Sequence, residues 1–279
     1  MNILDGKLLS KKTQETIKEE VSSLKIKPCL LVILVGHDQA SQIYVSSKEK
    51  ACKRVGMKSK TIVLEDNVSQ KELIDIIKQA NEDENIHGIL VQMPLPKYMD
   101  ELTVVDAIDP KKDVDGLHTY NQGKLMLGKN AIVPCTPKGI MKLLDEYHVQ
   151  LQGKSALVIG RSILVGKPIA QLLLQRSATV TIAHSKTKNL KELCLNSDII
   201  VCAVGKPKTV TEDMVKEGAV IVDVGINRVL GTIIGDVDYL LVSPKASRIT
   251  PVPGGVGPMT IACLLENVLE CYKLQVKDI

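Results

Sequence analysis

The chain contains no phenylalanine, no tryptophan and only six tyrosines in 279 residues. Its core must therefore be assembled from leucine, isoleucine, valine and methionine. So few rings leave little to stack on nucleic-acid bases. A formal net charge of +4 is also only mildly basic, and both facts argue against nucleic-acid binding. No run approaches the roughly 18 consecutive apolar residues of a membrane span, so no membrane partner is expected. The opening Met1-Asn2-Ile3-Leu4-Asp5-Gly6 lacks a basic segment followed by an apolar one, and no secretory leader is expected. The seven cysteines are odd in number and form no C-x-x-C pair. Most lie in apolar runs, which predicts reduced, buried thiols in a cytoplasmic protein and no metal site.

What is present is a globular composition, 44% hydrophobic, organised around Gly160-Arg161-Ser162-Ile163-Leu164-Val165-Gly166-Lys167-Pro168. The apolar run Ala156–Ile159 leads into it and a helix-like run, Ile169–Gln175, leaves it. Strand, glycine-rich turn and helix is the layout that sets a phosphate on helix N-terminal amides. The spacing is G-x-S-x-x-x-G, without the second glycine of the usual dinucleotide fingerprint. A second absence follows. An NAD site expects an acid about 20 residues after the turn to hold the ribose 2′-hydroxyl. The next strand, Thr179–His184, ends in no acid and runs on into Ser185-Lys186-Thr187. Donors and positive charge there, with Arg161 in the turn, favour a 2′-phosphate and hence NADP. Further strands are expected at Ile199–Gly205 and Ala219–Gly225, and the last helix at Met259–Tyr272 with Pro258 at its start.

The first half reads as a smaller α/β unit. Pro28–Gly36, nearly all apolar and ended by its glycine, suits a parallel strand buried on both faces. Asp38–Val55 reads as a helix stopped by Gly56, Lys60–Leu64 as a strand, and Ser69-Gln70-Lys71-Glu72 as a capping box for the helix Leu73–Asn81. Gly88–Met93 is the third strand. Tyr44 and Lys48 stand four apart, on one helix face. Gln92 falls at a strand's carboxyl end, where α/β proteins bind ligands. Asp113-Val114-Asp115-Gly116 is the kind of stretch that is more often a turn than a site. Thr136 is expected to cap a helix with Pro137 at its first position.

Taken in order, these blocks resemble the bifunctional methylenetetrahydrofolate dehydrogenase/cyclohydrolase family: Tyr44-Val45-Ser46-Ser47-Lys48, Val91–Pro96, Lys112–Gly116, Pro134–Gly139, Gly160-Arg161-Ser162 with Val165–Pro168, Asp223–Asn227, and Pro251–Thr260. Ser162 in place of glycine is part of that resemblance. It implies a two-domain α/β fold flanking a cleft: a catalytic, folate-binding domain over 1–119 and a Rossmann-type, doubly wound NADP domain over 120–279, the last helix returning to the first domain. It implies oxidation of 5,10-methylenetetrahydrofolate with NADP+, then hydrolysis of the methenyl product to 10-formyltetrahydrofolate, within one-carbon metabolism and upstream of purine, histidine and methionine biosynthesis. Lys48 would be the proton-transfer group, since a neighbouring cation disfavours its ammonium form. Gln92 would hold it, Tyr44 would stack on the aminobenzoate ring, and Asp115 would pair with the pterin. Val91, Met93 and the closing loop Pro253, Gly254, Gly255, Val256 and Gly257 would complete the folate site. Gly160, Arg161, Ser162, Gly166, Ser185, Gly205, Gly225 and Ile226 would hold NADP. The partners implied are a reduced folate, polyglutamylated or not, and a second copy paired through the C-terminal domain. Rival readings are another two-domain dehydrogenase of amino-acid or shikimate type, and a non-catalytic dinucleotide sensor.

Overall fold

The computed structural model describes residues 3–276. The chain divides into two compact units, one of residues 12–135 and 261–279, the other of 1–11 and 136–260. The division departs from the boundary at 119/120 expected from the sequence. Residues 120–135 stay with the first unit because Asn121 is buried there, donating to Pro110 O at 3.0 Å and to Asp113 Oδ2 at 2.9 Å.

Helix α1 (Gly6–Ser23), which enters the first unit at Lys12, leads to strand β1 (Cys29–Val35), whose seven residues are all buried. It lies between two parallel neighbours, β2 (Lys58–Leu64) and β3 (Gly88–Val91), in the order β2-β1-β3. A central parallel strand covered on both faces needs an uninterrupted apolar run, and β1 supplies it. The lysine-bearing β2 occupies an edge, where charge discourages further strand pairing. Between β1 and β2 runs α2 (Gln39–Val55); Asp38 accepts from Ser41 N at its start, and Gly56, at φ 81°, closes it. Helix α3 (Gln70–Glu82) is capped by Ser69, which accepts from Glu72 N, and buries Leu73, Ile77 and Ala80 along one stripe. That stripe packs in a core with Leu31, Ile33, Ile89 and Val91. The buried Lys112 ends α3, its Nζ donating to Ala80 O at 3.1 Å and Asp83 O at 2.9 Å, where a cation complements the helix dipole. Two short helices follow, α4 (Glu101–Val105) and α5 (Thr119–Met126).

In the second unit α6 (Cys135–Glu146) precedes a five-stranded parallel sheet. Thr136 is not its cap, because the helix already begins at Cys135; the Thr136 hydroxyl instead meets that of Thr260 at 2.9 Å. The elements are β4 (Ser155–Ile159), α7 (Gly166–Gln175), β5 (Thr179–Ala183), α8 (Leu190–Leu195), β6 (Ile199–Cys202), β7 (Val220–Asp223), a hairpin of β8 (Asn227–Val229) and β9 (Thr232–Ile234), α9 (Tyr239–Val242), β10 (Arg248–Ile249) and α10 (Val256–Val276). The strand order β10-β7-β6-β4-β5 is doubly wound. The chain goes from β4 outward to β5, then back across β4 to β6, so the switch point lies between β4 and β6. The part of α10 from Ile261 on belongs to the first unit, where Asn267 and Gln275 hydrogen-bond to loop carbonyls and Tyr272 meets the His87 ring at 4.9 Å.

Candidate active site and dinucleotide site

Within the first unit, α2 brings Tyr44 and Lys48 onto one face, one turn apart. Tyr44 is exposed and Lys48 half-buried. Lys48 Nζ donates to Gln92 Oε1 at 2.8 Å, and Gln92 Nε2 donates to Met93 O at 2.8 Å. The second contact orients the amide so that its oxygen faces the amine. Gln92 itself follows β3 directly and is held by its backbone N–H on Ile33 O at 2.8 Å. Val91 is buried as the last residue of β3, and Met93 packs against the core below.

Asp115 reaches this group through the loop after Lys112. Ile89 N bonds to Lys112 O at 2.7 Å, and Asp113 forms a parallel bridge with Ile89. The bridge brings the turn that follows Asp113 up to β3, and there the Lys48 cation acts on Asp115. The two aspartates have different tasks. Asp113 is buried and accepts from Leu117 N, His118 N and Asn121 Nδ2, which fixes the turn. Burial pushes its carboxyl above the ordinary range. Asp115 is only half-buried, and its carboxylate meets the Cys135 thiol at 3.6 Å. Burial raises its carboxyl too, opposed by the Lys48 cation and by the thiol. Gly116 must be glycine, because its φ is +66° and a Cβ would lie 2.6 Å from Ile132 O.

The sequence reading missed Cys135 and Asn267 as supports of this loop. Buried Asn267 on α10 donates to Val114 O at 2.8 Å and Val133 O at 2.9 Å, flanking Asp115 and Cys135. An asparagine within the apolar stretch of this helix was the available signal, since buried amides need partners.

In the second unit Gly160 follows β4 with φ +126°, and a Cβ there would lie 2.4 Å from Ala203 O in the segment after β6. The turn therefore closes against the switch point. Ser162 Oγ accepts from Val165 N at 3.2 Å and Gly166 N at 3.3 Å. Gly166 opens α7, its Cβ position 2.3 Å from Gly160 O. Arg161 is exposed here. Ser185, also exposed, sits at the tip of a turn in which Thr187 N bonds to His184 O at 2.8 Å. Because Ile159 pairs with Ala183, Arg161 and Ser185 follow the ends of adjacent strands. Gly205 after β6, and Gly225 with half-exposed Ile226 after β7, stand at the same sheet edge. The segment Pro253–Gly257 belongs to this unit and is not wholly a loop. Val256 and Gly257 form the start of α10, and Gly254 O is fastened to Lys7 N at 2.9 Å.

Comparison with known proteins also finds two domains, with the last helix counted in the second. The catalytic-domain profile of the tetrahydrofolate dehydrogenase/cyclohydrolase family matches residues 4–115, and its NAD(P)-binding-domain profile matches residues 134–276. The chain belongs to the tetrahydrofolate dehydrogenase/cyclohydrolase family. It is 57% identical to the bifunctional protein FolD of Campylobacter concisus over 96% of both chains. The crystal structure of bifunctional FolD from Campylobacter jejuni superposes with a TM-score of 0.97 at 50% identity, covering 98% of this chain and 99% of that one. The FolD of Trypanosoma brucei, complexed with NADP cofactor and inhibitor, gives a TM-score of 0.94 at 38% identity, over 98% and 97%. The family, the two α/β units and the paired dehydrogenase and cyclohydrolase activities read from the sequence are thereby borne out, and a mere sensor is set aside. Among the described residues no His, Cys, Asp or Glu group is arranged to hold a metal ion, and no helix is long and apolar enough to cross a membrane.

The second unit fits a dinucleotide on its own geometry. The glycine turn has no room for side chains at 160 and 166, whereas a Cβ at Gly205 would meet nothing within 4 Å. A closed turn beside an open backbone surface is what a pyrophosphate and its flat rings require.

Proposed function

We propose that Lys48, Gln92, Tyr44 and Asp115 carry both reactions, the oxidation of 5,10-methylenetetrahydrofolate and the hydrolysis of 5,10-methenyltetrahydrofolate to 10-formyltetrahydrofolate. The 2.8 Å contact from Lys48 Nζ to Gln92 Oε1 carries this reading. It holds an amine, on a rigid helix, next to a strand end and an acid. Asp115 accepts the paired N–H donors of the pterin, and exposed Tyr44 offers its ring to the aminobenzoate. NADP supplies the hydride acceptor when bound. For that step the first unit contributes positioning, since the substrate's own N5 and N10 lone pairs support the developing cation. In the hydrolytic step Lys48 takes a proton from the water that adds to the methenyl carbon and returns it to N5 as the C–N5 bond breaks, the hydroxyl proton leaving to solvent, while Gln92 keeps the amine in line. Gly160, Ser162, Gly166, Gly205, Gly225 and Ile226 hold the dinucleotide. Arg161 and Ser185 take its 2′-phosphate, supported by the missing acid after β5. Val91, Met93 and the segment 253–257 complete the folate site.

Replacement of Lys48 by methionine tests the assignment. Cyclohydrolase should fall by about 10²- to 10⁴-fold, the range lost with a general base, while hydride transfer stays measurable through reduced-cofactor absorbance. Undiminished methenyl hydrolysis would remove Lys48 from its role.

The same proposal places the enzyme in the cytoplasm, supported by seven cysteines that are all buried thiols. It pairs the enzyme as a homodimer through the second unit, supported by the hairpin there, whose Leu230 is fully exposed. Its formyl-level product suits purine, histidine and methionine biosynthesis.

A further inference from the structure

The second unit contains two buried carboxylates that the reaction does not use. Asp223 ends β7 and Asp236 follows β9; they are 2% and 0% exposed, and neither has an ion pair among the described residues. Backbone donors replace the missing cation. Asp223 Oδ1 accepts from Asp236 N at 2.9 Å and from Gly225 N at 3.0 Å, and its Oδ2 accepts from Val237 N at 3.0 Å. Asp236 Oδ2 in turn accepts from Val204 N at 2.8 Å and Gly205 N at 2.9 Å, while Oδ1 accepts from Asn227 Nδ2 at 2.9 Å. Glycine is obligatory around the pair. A Cβ at Gly225 would lie 2.2 Å from Asp236 Oδ1, and one at Gly235 would lie 1.8 Å from Asp223 Oδ2.

Asp236 thus ties together the segments that follow β6 and β7. Both lie at the carboxyl edge of the sheet, beside the switch point, where a dinucleotide binds in doubly wound folds. The Val204 and Gly205 amides are turned inward to the acid. Outward, the same segments present Val204 and Ile226, which are 40% and 50% exposed, and the open backbone at Gly205. We infer that Asp236, seated on Asp223, is a positioning residue for NADP: it sets the two segments in the geometry that the cofactor meets, without touching the cofactor. The inference rests on the second unit being the NADP site.

The experiment compares Asp236→Ala and Asp236→Asn in the full-length enzyme. Alanine leaves the Val204 and Gly205 amides without an acceptor. Asparagine keeps one oxygen for them. Calorimetric titration with NADP+ gives Kd, and steady-state kinetics split KM for NADP+ from kcat. Cyclohydrolase activity without cofactor reports the other unit. Asp236→Ala should raise Kd and KM for NADP+ by about 10- to 100-fold, the loss expected when buried donors go unpaired. Its kcat and its cyclohydrolase activity should stay within a few-fold, and Asp236→Asn should recover most of the affinity. Should the alanine variant not fold, Asn227→Ala removes one support of the acid and should weaken NADP+ by several-fold. An alanine variant, or failing that Asn227→Ala, that binds NADP+ like the parent would overturn the inference. So would an asparagine variant as weak as alanine. If the parent enzyme itself does not bind NADP+, the cofactor reading falls first.

Discussion

Replacing Asp223 by asparagine should change how stability depends on pH, in a calculable direction. Asp223 is 2% exposed, and its carboxyl is pushed from an ordinary 3.8 up to about 6. Burial is the main cause; the amides of Asp236, Val237 and Gly225 oppose it, and the Asp236 charge adds to it. The other groups facing it are the Thr250 hydroxyl, bonded to its backbone, and the Cys202 thiol, which contacts Asp236. An acid with a raised folded value holds its proton more tightly in the folded chain than in the unfolded one. Its contribution is fully present below about 3.8 and is lost as pH rises through about 6. The interval between those values corresponds to about 3 kcal/mol. Asparagine does not titrate, so the variant lacks this loss. The variant carries a constant cost, because its amide faces N–H donors, so the parent should be ahead at low pH. That lead should shrink by up to about 3 kcal/mol, or roughly 10 °C in Tm, between about pH 4 and about pH 7. Thermal melts of both proteins across that range give the difference, and carboxyls that titrate alike in both cancel. A lead that stays constant or widens with pH would refute the reasoning, since it would mean Asp223 is no more protonated in the folded state than in the unfolded one.

Asp115→Ala should raise the folate KM at least about 10-fold in both activities, because it leaves the pterin donors unpaired, with NADP+ affinity unchanged by titration. Unaltered folate kinetics would remove Asp115 from the site. Arg161→Ala should reduce kcat/KM for NADP+ by about 10- to 100-fold, the loss of a charge-assisted contact, and hardly affect NAD+. Equal losses for the two cofactors would refute the 2′-phosphate contact.

Elements set by local chemistry were legible in the sequence. The apolar run of β1 required burial on both faces. Ser69 and Gly56 mark helix ends because a side-chain acceptor and a left-handed residue satisfy groups that every helix end leaves open. Elements set by distant contacts were not. Thr136 has the chemistry of a cap, yet its hydroxyl faces Thr260, 124 residues away, and the helix begins at Cys135. Helix α5 has little apolar periodicity; it is fixed by His118 accepting from Tyr120 N and by buried Asn121. The β8–β9 hairpin turns through Leu230 and Gly231, both at positive φ, and a leucine there gives no turn signal. Asp236 has no motif of its own. Its partners, Val204, Gly205 and Asn227, meet it only once the sheet order is known.

The D-x-D-G stretch shows why the turn reading and the site reading need not compete. A loop that presents a carboxylate to a ligand must first be held, and holding it consumes hydrogen-bond capacity. Asp113 spends both oxygens on Leu117, His118 and Asn121, and Gly116 supplies the positive φ that lets the chain pass Ile132 and Pro134. Among the described residues Asp115 meets a thiol and the field of Lys48, and in the proposed reading its oxygens take the pterin donors. The same division recurs at the glycine turn. Ser162 takes the amides of Val165 and Gly166, so the turn is formed before any phosphate arrives, and Arg161 beside it stays exposed. In both places one residue satisfies the fold, and the proposed ligand contact falls to its neighbour. Local pattern marks such a pair as a unit, but only tertiary contacts say which member does which.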